Sequence, residues 1–305
     1  MPGEIFVYES LPAIDIGMHV FPTEKYSRLA AALVEQGVPE ERFALPGETR
    51  DEDLARVHTE EYLSDLRHAR PTPRTIASEL PVNPQVIQGF QRMVGGTVRA
   101  AELAWREDRW TMHIGGGFHH AFADRAEGFC YVHDVAIAIR RLQELEGLGR
   151  VAVIDVDLHQ GNGTARIFAG DESVFTFSIH QEKLYPPKEV SDIDIGLDQY
   201  VGDDEYLDRL EEALDPIYDE FSPEMVFAVC GADPYHDDQL GDLKLTFEGL
   251  RRRDELVIGE AARRGIPGVV TLAGGYAHRV EDTVKIHRQT AEVVLETYTS
   301  TKESK

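Results

Sequence analysis

Residues 151–163 read VAVIDVDLHQGNG, and their pattern decides the fold. The apolar run Val151-Ala152-Val153-Ile154 turns abruptly into Asp155, Asp157 and His159, spaced by two, and closes on Gly161-Asn162-Gly163. A short β-branched run followed by glycines reads as a buried parallel strand, expected over 151–158, that ends in a loop. On an extended strand, residues two apart project to the same side. Asp155, Asp157 and His159 are therefore expected to converge at the strand's carboxyl end, where open α/β sheets place their ligands. Two carboxylates and an imidazole on one face are costly to bury without a cation. The plainer alternative is a solvated strand end; the pattern favours a metal site.

Outward from this strand, apolar runs and helical spacings alternate. Further strands are expected at 5–8, 110–114, 174–179, 225–230 and 269–272. Helices are expected at 23–35, with Thr23 as N-cap and Gly37 as stop, and at 51–66, 84–106, 129–145, 206–221, 246–264 and 281–298. The four prolines between Arg70 and Pro84 predict an irregular surface loop. The alternation of strands and helices predicts an α/β fold, a mostly parallel central sheet flanked by helices on both faces. No linker, repeat or low-complexity tract divides the chain, so residues 1–305 are expected to form a single domain.

No apolar stretch approaches the ~18 residues of a membrane span. The amino-terminal MPGEIFVYES lacks the basic-then-apolar order of a secretory signal. Two cysteines, Cys130 and Cys230, in unrelated apolar settings make no disulfide framework. A reducing cytoplasm is the expected location. The net charge of −24, from 55 acidic and 31 basic residues, opposes binding to a nucleic-acid backbone. It suits a cationic substrate, although a salt-adapted or merely soluble surface has the same balance. Only 7 of the basic residues are lysine.

Four expected strands end in unusual chemistry: His119-His120 after three glycines, the DxDxH of 155–159, Asp233 in Gly231-Ala232-Asp233, and Tyr276 after Gly274-Gly275. Asp157, His159 and Asp233 offer one nitrogen and two carboxylates, a set for zinc with a position open to water or substrate. Fe(II) or Co(II) fits the same donors. Asp155 could instead orient a histidine. A tandem histidine facing a metal set reads as catalytic. Tyr276 could hydrogen-bond the oxyanion that forms when water attacks a carbonyl. Phe129 and Tyr185 could line an apolar channel.

The blocks GGGFHHA (115–121), GFC (128–130), DVDLHQGNGT (155–164), GADPYHDDQLGDLKLT (231–246) and AGGYA (273–277) together resemble the zinc-dependent histone deacetylase superfamily. Their order and separation agree from about Val20 onward. With the segment Phe21-Pro22-Thr23-Glu24-Lys25-Tyr26, they look most similar to bacterial proteins related to class IV deacetylases. The resemblance implies an arginase/deacetylase-type fold and a single catalytic zinc on Asp157, His159 and Asp233. It implies His120 as general base and acid, and His119 as an electrostatic partner oriented by Asp155. It also implies that Tyr276 polarises the substrate carbonyl, while Phe129 lines an acyl-lysine tunnel with Tyr185, Gly128 and Gly275 beside the substrate. A structural potassium ion would be held by Asp155, Asp157, His159, Ser178 and Ile179, several through backbone oxygens.

Asn162 stands where many relatives carry an aspartate that orients the second histidine. An amide still accepts from the ring N–H but brings no charge, so His120 is expected to be less basic. The rim aspartate with which relatives grip the substrate backbone has its expected neighbourhood in 70–84. Dinuclear relatives need a carboxylate two residues after the one at Asp233; Tyr235 occupies that position, which argues against a second catalytic metal. The expected reaction is hydrolysis of an acyl-lysine in a protein or peptide. Acetylpolyamines or other small N-acyl amines are the alternative substrates, and a non-catalytic acyl-lysine sensor is the alternative of another class.

Overall fold

Eight strands form one sheet in a computed structural model that describes residues 3–9 and 14–303, with side chains through 298. Met1, Pro2 and Ser10 of the amino-terminal stretch lie outside the described residues. The strands are β1 (Phe6–Val7), β2 (Phe43–Ala44), β3 (Trp110–His113), β4 (Val151–Asp155), β5 (Val174–Gln181), β6 (Ile193–Leu197), β7 (Met225–Val229) and β8 (Gly268–Thr271). Their order is β2-β1-β3-β8-β7-β4-β5-β6, and every described pairing is parallel. The helices are α1 (Lys25–Glu35), α2 (Asp51–Ala55), α3 (Glu60–Arg67), α4 (Pro73–Ile76), α5 (Pro84–Glu107), α6 (Asp134–Glu146), α7 (Asn162–Ile167), α8 (Asp203–Asp215), α9 (Phe247–Asp254), α10 (Glu260–Arg263) and α11 (Val280–Glu303).

Burial explains which strands sit centrally. Every residue of β3, β4, β7 and β8 is buried, as expected for strands covered on both faces, whereas the edge strand β6 alternates exposed and covered positions. Helices α5 and α6 pack together in one layer, and α1, α11, α9 and α8 pack in sequence in another. Local chemistry sets the helix ends. Asn83 Oδ1 accepts from Val86 N–H at 2.9 Å with Pro84 in the first turn, and α5 stops at Asp108 in a left-handed conformation. No helix is long and apolar enough to cross a membrane among the described residues. Cys130 and Cys230 are both buried free thiols.

Several elements differ from the sequence reading. The central strand ends at Asp155, not Leu158, so Asp157 and His159 lie on the loop beyond it. Strand alternation therefore does not align them. The carboxylates turn the chain instead: Asp155 Oδ1 accepts from Asp157 N–H at 3.1 Å, and Asp157 Oδ1 accepts from His159 N–H at 2.9 Å. Thr23 is not an N-cap, because its hydroxyl donates to the Ile14 carbonyl at 3.1 Å and α1 begins at Lys25 without a side-chain cap. The region 51–66 is two helices, with Thr59 Oγ1 capping the second at Tyr62 N–H. The expected helix over 129–145 begins only at Asp134, after a reciprocal turn in which Glu127 N–H donates to Cys130 O and Cys130 N–H donates to Glu127 O. Segment 70–84 contains the short helix α4. The helices expected at 206–221 and 246–264 each contain a wide π turn, at Pro216–Phe221 and Glu255–Gly259. β2, β6 and α7 have no counterpart in the expectation.

Candidate active site

The strands that carry the four unusual ends, β3, β8, β7 and β4, are consecutive neighbours in the sheet. Because all run parallel, their carboxyl ends meet at one edge, and the candidate site residues gather there.

Asp157 and His159 after β4 meet Asp233 after β7, with one donor atom from each lying within 4.8 Å of the others. His159 Nδ1 faces Asp157 Oδ1 at 3.3 Å and Asp233 Oδ2 at 3.2 Å. Burial lowers the basicity of this imidazole, but Asp157 and Asp233 outweigh it and hold the ring at about 10. The pocket thus favours positive charge at the point where the three donors meet. Backbone crowds it from behind: a Cβ at Gly274 would collide with Asp233 Oδ2 and lie 2.7 Å from Asp157 Oδ2, and one at Gly231 would collide with Asp157 Oδ2. Gly274 N–H donates to Asp157 Oδ2 at 2.8 Å, and Asp233 Oδ1 accepts from Leu158 N–H at 3.0 Å. Each carboxylate is left with oxygen directed at the common centre. The donor set fits a divalent ion.

Asp155 stands outside that triad and takes His119 Nδ1 at 2.7 Å. Burial lowers His119, but Asp155 and Asp157 overcome it and lift the ring to about 9. Its ring lies 4.1 Å from that of His120, centroid to centroid. Burial first, then the His119 and His159 rings, push His120 well below the ordinary 6.5, so this imidazole is neutral. Its Nδ1–H donates to Asn162 Oδ1 at 2.9 Å, which leaves Nε2 with a free lone pair. The two imidazoles stand side by side with their basicities pushed in opposite directions by their different surroundings.

Tyr276 is buried at the end of the β8 loop, and burial followed by the Asp233 and Asp157 charges raises its hydroxyl well above its ordinary value. It therefore remains a hydrogen-bond donor. The main chain of Tyr276 is clamped, its N–H donating to Asp238 Oδ2 at 2.7 Å and its carbonyl accepting from Gln239 Nε2 at 2.7 Å. Gly275, at φ +130°, precedes it. The Phe129 ring lies 5.8 Å from Tyr276, and Phe21 stacks near-parallel to Phe129 at 6.3 Å. A narrow cavity of about 20 Å³ is walled by Phe21, Phe129, His120, Gly274 and Tyr276. Tyr185 stands on the other side, 5.6 Å from the His120 ring and 6.4 Å from the His159 ring, and Gly128 lies between its hydroxyl and His120. Ser178 pairs with Asp155 in the β4–β5 register, and Ile179 follows it, fully buried. The Ser178 hydroxyl itself bonds His180 Nδ1 at 2.9 Å. Tyr235 is buried and stacks on Phe247 at 4.7 Å.

Several residues at the site carry no local sequence signal. Lys25 is fully buried, and its Nζ donates to the carbonyls of Ala273 and Gly274 at 2.6 and 3.0 Å. Burial takes its ammonium down to about 8 against the pull of Asp233 and Asp157. Arg253, also fully buried, donates from Nη1 to the Val156 and Gly231 carbonyls at 3.1 and 2.6 Å, tying together the segments that carry Asp157 and Asp233. Glu79, within the loop expected to hold a rim carboxylate, is exposed and lies close enough for its charge to act on His19 and Tyr185. Its neighbour Ser78 accepts at its carbonyl from Phe129 N–H at 2.9 Å.

Residues 19–291 match the family model described as the histone deacetylase domain. An uncharacterized protein of Picosynechococcus sp. is 37% identical over 272 residues, covering 88% of this chain and 90% of that protein. Histone deacetylase 2 of Arabidopsis thaliana is 35% identical over 272 residues, 85% of this chain and 70% of the relative. A probable deacetylase of Archaeoglobus fulgidus is 30% identical over 293 residues, 90% and 81% of the two chains. Among solved structures, the HDA15 HD domain superposes with a TM-score of 0.80 at 22% identity, covering 97% of this chain and 94% of that one.

Proposed function

Since the chain belongs to the histone deacetylase family, we propose that it hydrolyses the amide of an acylated lysine ε-amine, with one zinc ion held by Asp157, His159 and Asp233. The observation that carries the reading is the meeting of that triad with His119 on Asp155, His120 on Asn162 and the Tyr276 phenol around one apolar-walled cavity. When bound, zinc would supply Lewis acidity to the amide carbonyl and lower the pKa of water.

The chain's own groups do the rest. His120 Nε2, unprotonated and with Nδ1–H anchored on Asn162, takes the proton of the attacking water and returns it to the leaving amine. His119 keeps its proton on Asp155 and places positive charge beside the developing oxyanion. Tyr276 donates its hydroxyl to that oxyanion from a main chain that Asp238 and Gln239 hold still. Phe129 and Tyr185 exclude water around the aliphatic stem of the substrate, and Gly128, where a Cβ would press on the His120 ring and the Tyr185 hydroxyl, leaves room for it. Glu79 is the rim carboxylate that accepts from the substrate's backbone amides. The structural potassium ion implied by the resemblance would sit where β4 meets β5, at Asp155, Asp157, His159, Ser178 and Ile179. The catalytic unit is a single domain.

The net charge of −24 favours a second substrate class, small cationic N-acyl amines such as acetylpolyamines. Rates of the zinc-loaded protein on an acyl-lysine peptide series, acetyl to myristoyl, and on acetylspermidine test both. Turnover of the peptides, abolished by chelation and restored by zinc, is expected. Binding of an acyl-lysine peptide with no turnover at any chain length would make the protein a sensor instead.

A further inference from the structure

The base His120 is not held by a carboxylate but by the Asn162 amide, and that amide is itself held. Asn162 Nδ2 donates to Glu127 Oε1 at 2.7 Å, and Arg125 Nε donates to Glu127 Oε2 at 3.3 Å. Asn162 is 1% exposed, and the Glu127 side chain is 16% exposed. Glu127 is fixed in turn by the reciprocal Glu127–Cys130 turn, whose central residues Gly128 and Phe129 both have positive φ, +47° and +63°. The same turn thus aims Phe129 at the cavity and the carboxylate at Asn162.

We infer that Glu127 is a positioning residue for the hydrolytic base: through Asn162 it fixes His120 as the Nδ1–H tautomer. The inference deepens the acyl-amide reading and rests on it. An ionised carboxylate only accepts hydrogen bonds, so Glu127 dictates that the NH₂ end of the amide faces it and the oxygen faces His120. Gly163 N–H donates to the same oxygen at 3.0 Å and agrees with that orientation. With the amide reversed, its NH₂ would face His120 Nδ1 and demand a lone pair there. The ring proton would then move to Nε2, the nitrogen that has to accept the water proton. The buried Nδ2 would lose its acceptor without Glu127, and an unpaired buried donor is costly enough to favour rearrangement. The carboxylate also polarises the amide, restoring at one remove the negative charge that Asn162 lacks.

Two readouts test this on the zinc-loaded full chain. In kinetics with an acetyl-lysine peptide, Glu127→Ala is expected to lower kcat roughly tenfold, a typical loss for partners of site residues, with KM changed less than about twofold. Glu127→Gln, which keeps an acceptor but not the charge, should fall between. In an Asn162→Asp background the sign should invert: two facing carboxylates oppose one another, so Glu127→Gln should raise kcat there. Wild-type kcat in Glu127→Ala, or an equal loss from Glu127→Gln in both backgrounds, overturns the inference. Nitrogen-15 NMR of the imidazoles, with the His120 signals assigned by their loss in His120→Gln, needs no turnover. The Nδ1–H tautomer in the wild type, lost in Glu127→Ala, supports the positioning role; its retention in Glu127→Ala refutes it. A wild-type protein that hydrolyses no amide would sink the acyl-amide reading alone, because the tautomer still decides the role of Glu127.

Discussion

Replacing Tyr276 by Phe removes one hydroxyl and leaves the rest of the site in place. The ring keeps its edge contacts with Phe21 at 6.2 Å and Phe129 at 5.8 Å, and the backbone keeps its bonds to Asp238 and Gln239. The hydroxyl is raised well above its ordinary value and so stays protonated at any working pH, which makes it a donor and not a base. Its loss therefore removes one oxyanion donor from a buried site, an effect worth roughly 10²–10³ in kcat, or about 2.7–4 kcal/mol. KM should change little, because the phenol binds the transition state more strongly than the ground-state carbonyl. The assay is steady-state hydrolysis of an acetyl-lysine peptide, with zinc content measured on the same sample. A variant that keeps its zinc and turns over within about threefold of wild type would refute the assigned role.

The metal cradle gives a second prediction: Gly274→Ala puts a methyl against Asp233 Oδ2 and 2.7 Å from Asp157 Oδ2, so zinc bound per chain should fall sharply while the melting temperature of the apo-protein changes little. Buried neutral histidines predict acid sensitivity. Burial lowers His58 from 6.5 to about 4, and its Nε2 accepts from His133 N–H at 3.0 Å. The unfolded chain therefore binds a proton that the folded one refuses, and this stability, full above pH 6.5, is lost as pH falls towards 4. The loss is on the order of 3 kcal/mol, and urea titrations at both pH values should show His58→Gln losing less than wild type. If the net charge of −24 steers cationic substrates, kcat/KM for acetylspermidine should fall as salt rises. Between about 0.01 and 1 M salt the screening length shrinks from about 30 to 3 Å, so a flat profile would assign the charge to solubility alone.

The strands that build the site were legible because they are buried on both faces and so read as mostly apolar runs without strand alternation: Trp110–His113, Val151–Asp155, Met225–Val229 and Gly268–Thr271. β2 is two residues long and β6 alternates Ile193, Ile195 and Leu197 with Asp194 and Gly196, patterns too short or too polar to stand out. Helix α7 opens on Asn162 and Gly163, poor helix formers that tertiary contacts hold in place. The tandem histidine, the DxDxH run, Asp233 and Tyr276 were legible because their residue types are costly to place at buried strand ends without a use. Lys25, Gln239 and Glu127 were not, because each acts on a partner 248, 37 or 35 residues away. Periodicity does not encode such pairs.

Those distant contacts answer a problem that the glycines create. Gly274 and Gly231 allow the backbone to press against the Asp157 and Asp233 carboxylates, but a glycine loop alone would leave Tyr276 free to swing. Lys25 ties the Ala273 and Gly274 carbonyls from below, Asp238 holds the Tyr276 N–H, and Gln239 holds its carbonyl. On the facing side, Asp134 accepts from Gly117 and Phe118 N–H at 2.9 and 2.8 Å and fixes the three-glycine loop that carries His119 and His120. Both glycine loops are thus pinned through their main chains by buried polar side chains, which leaves the functional side chains free to face the cavity. A phenol or imidazole held this way meets developing charge without first paying to reorganise, and that preorganisation is what makes hydrogen-bond donors effective in catalysis.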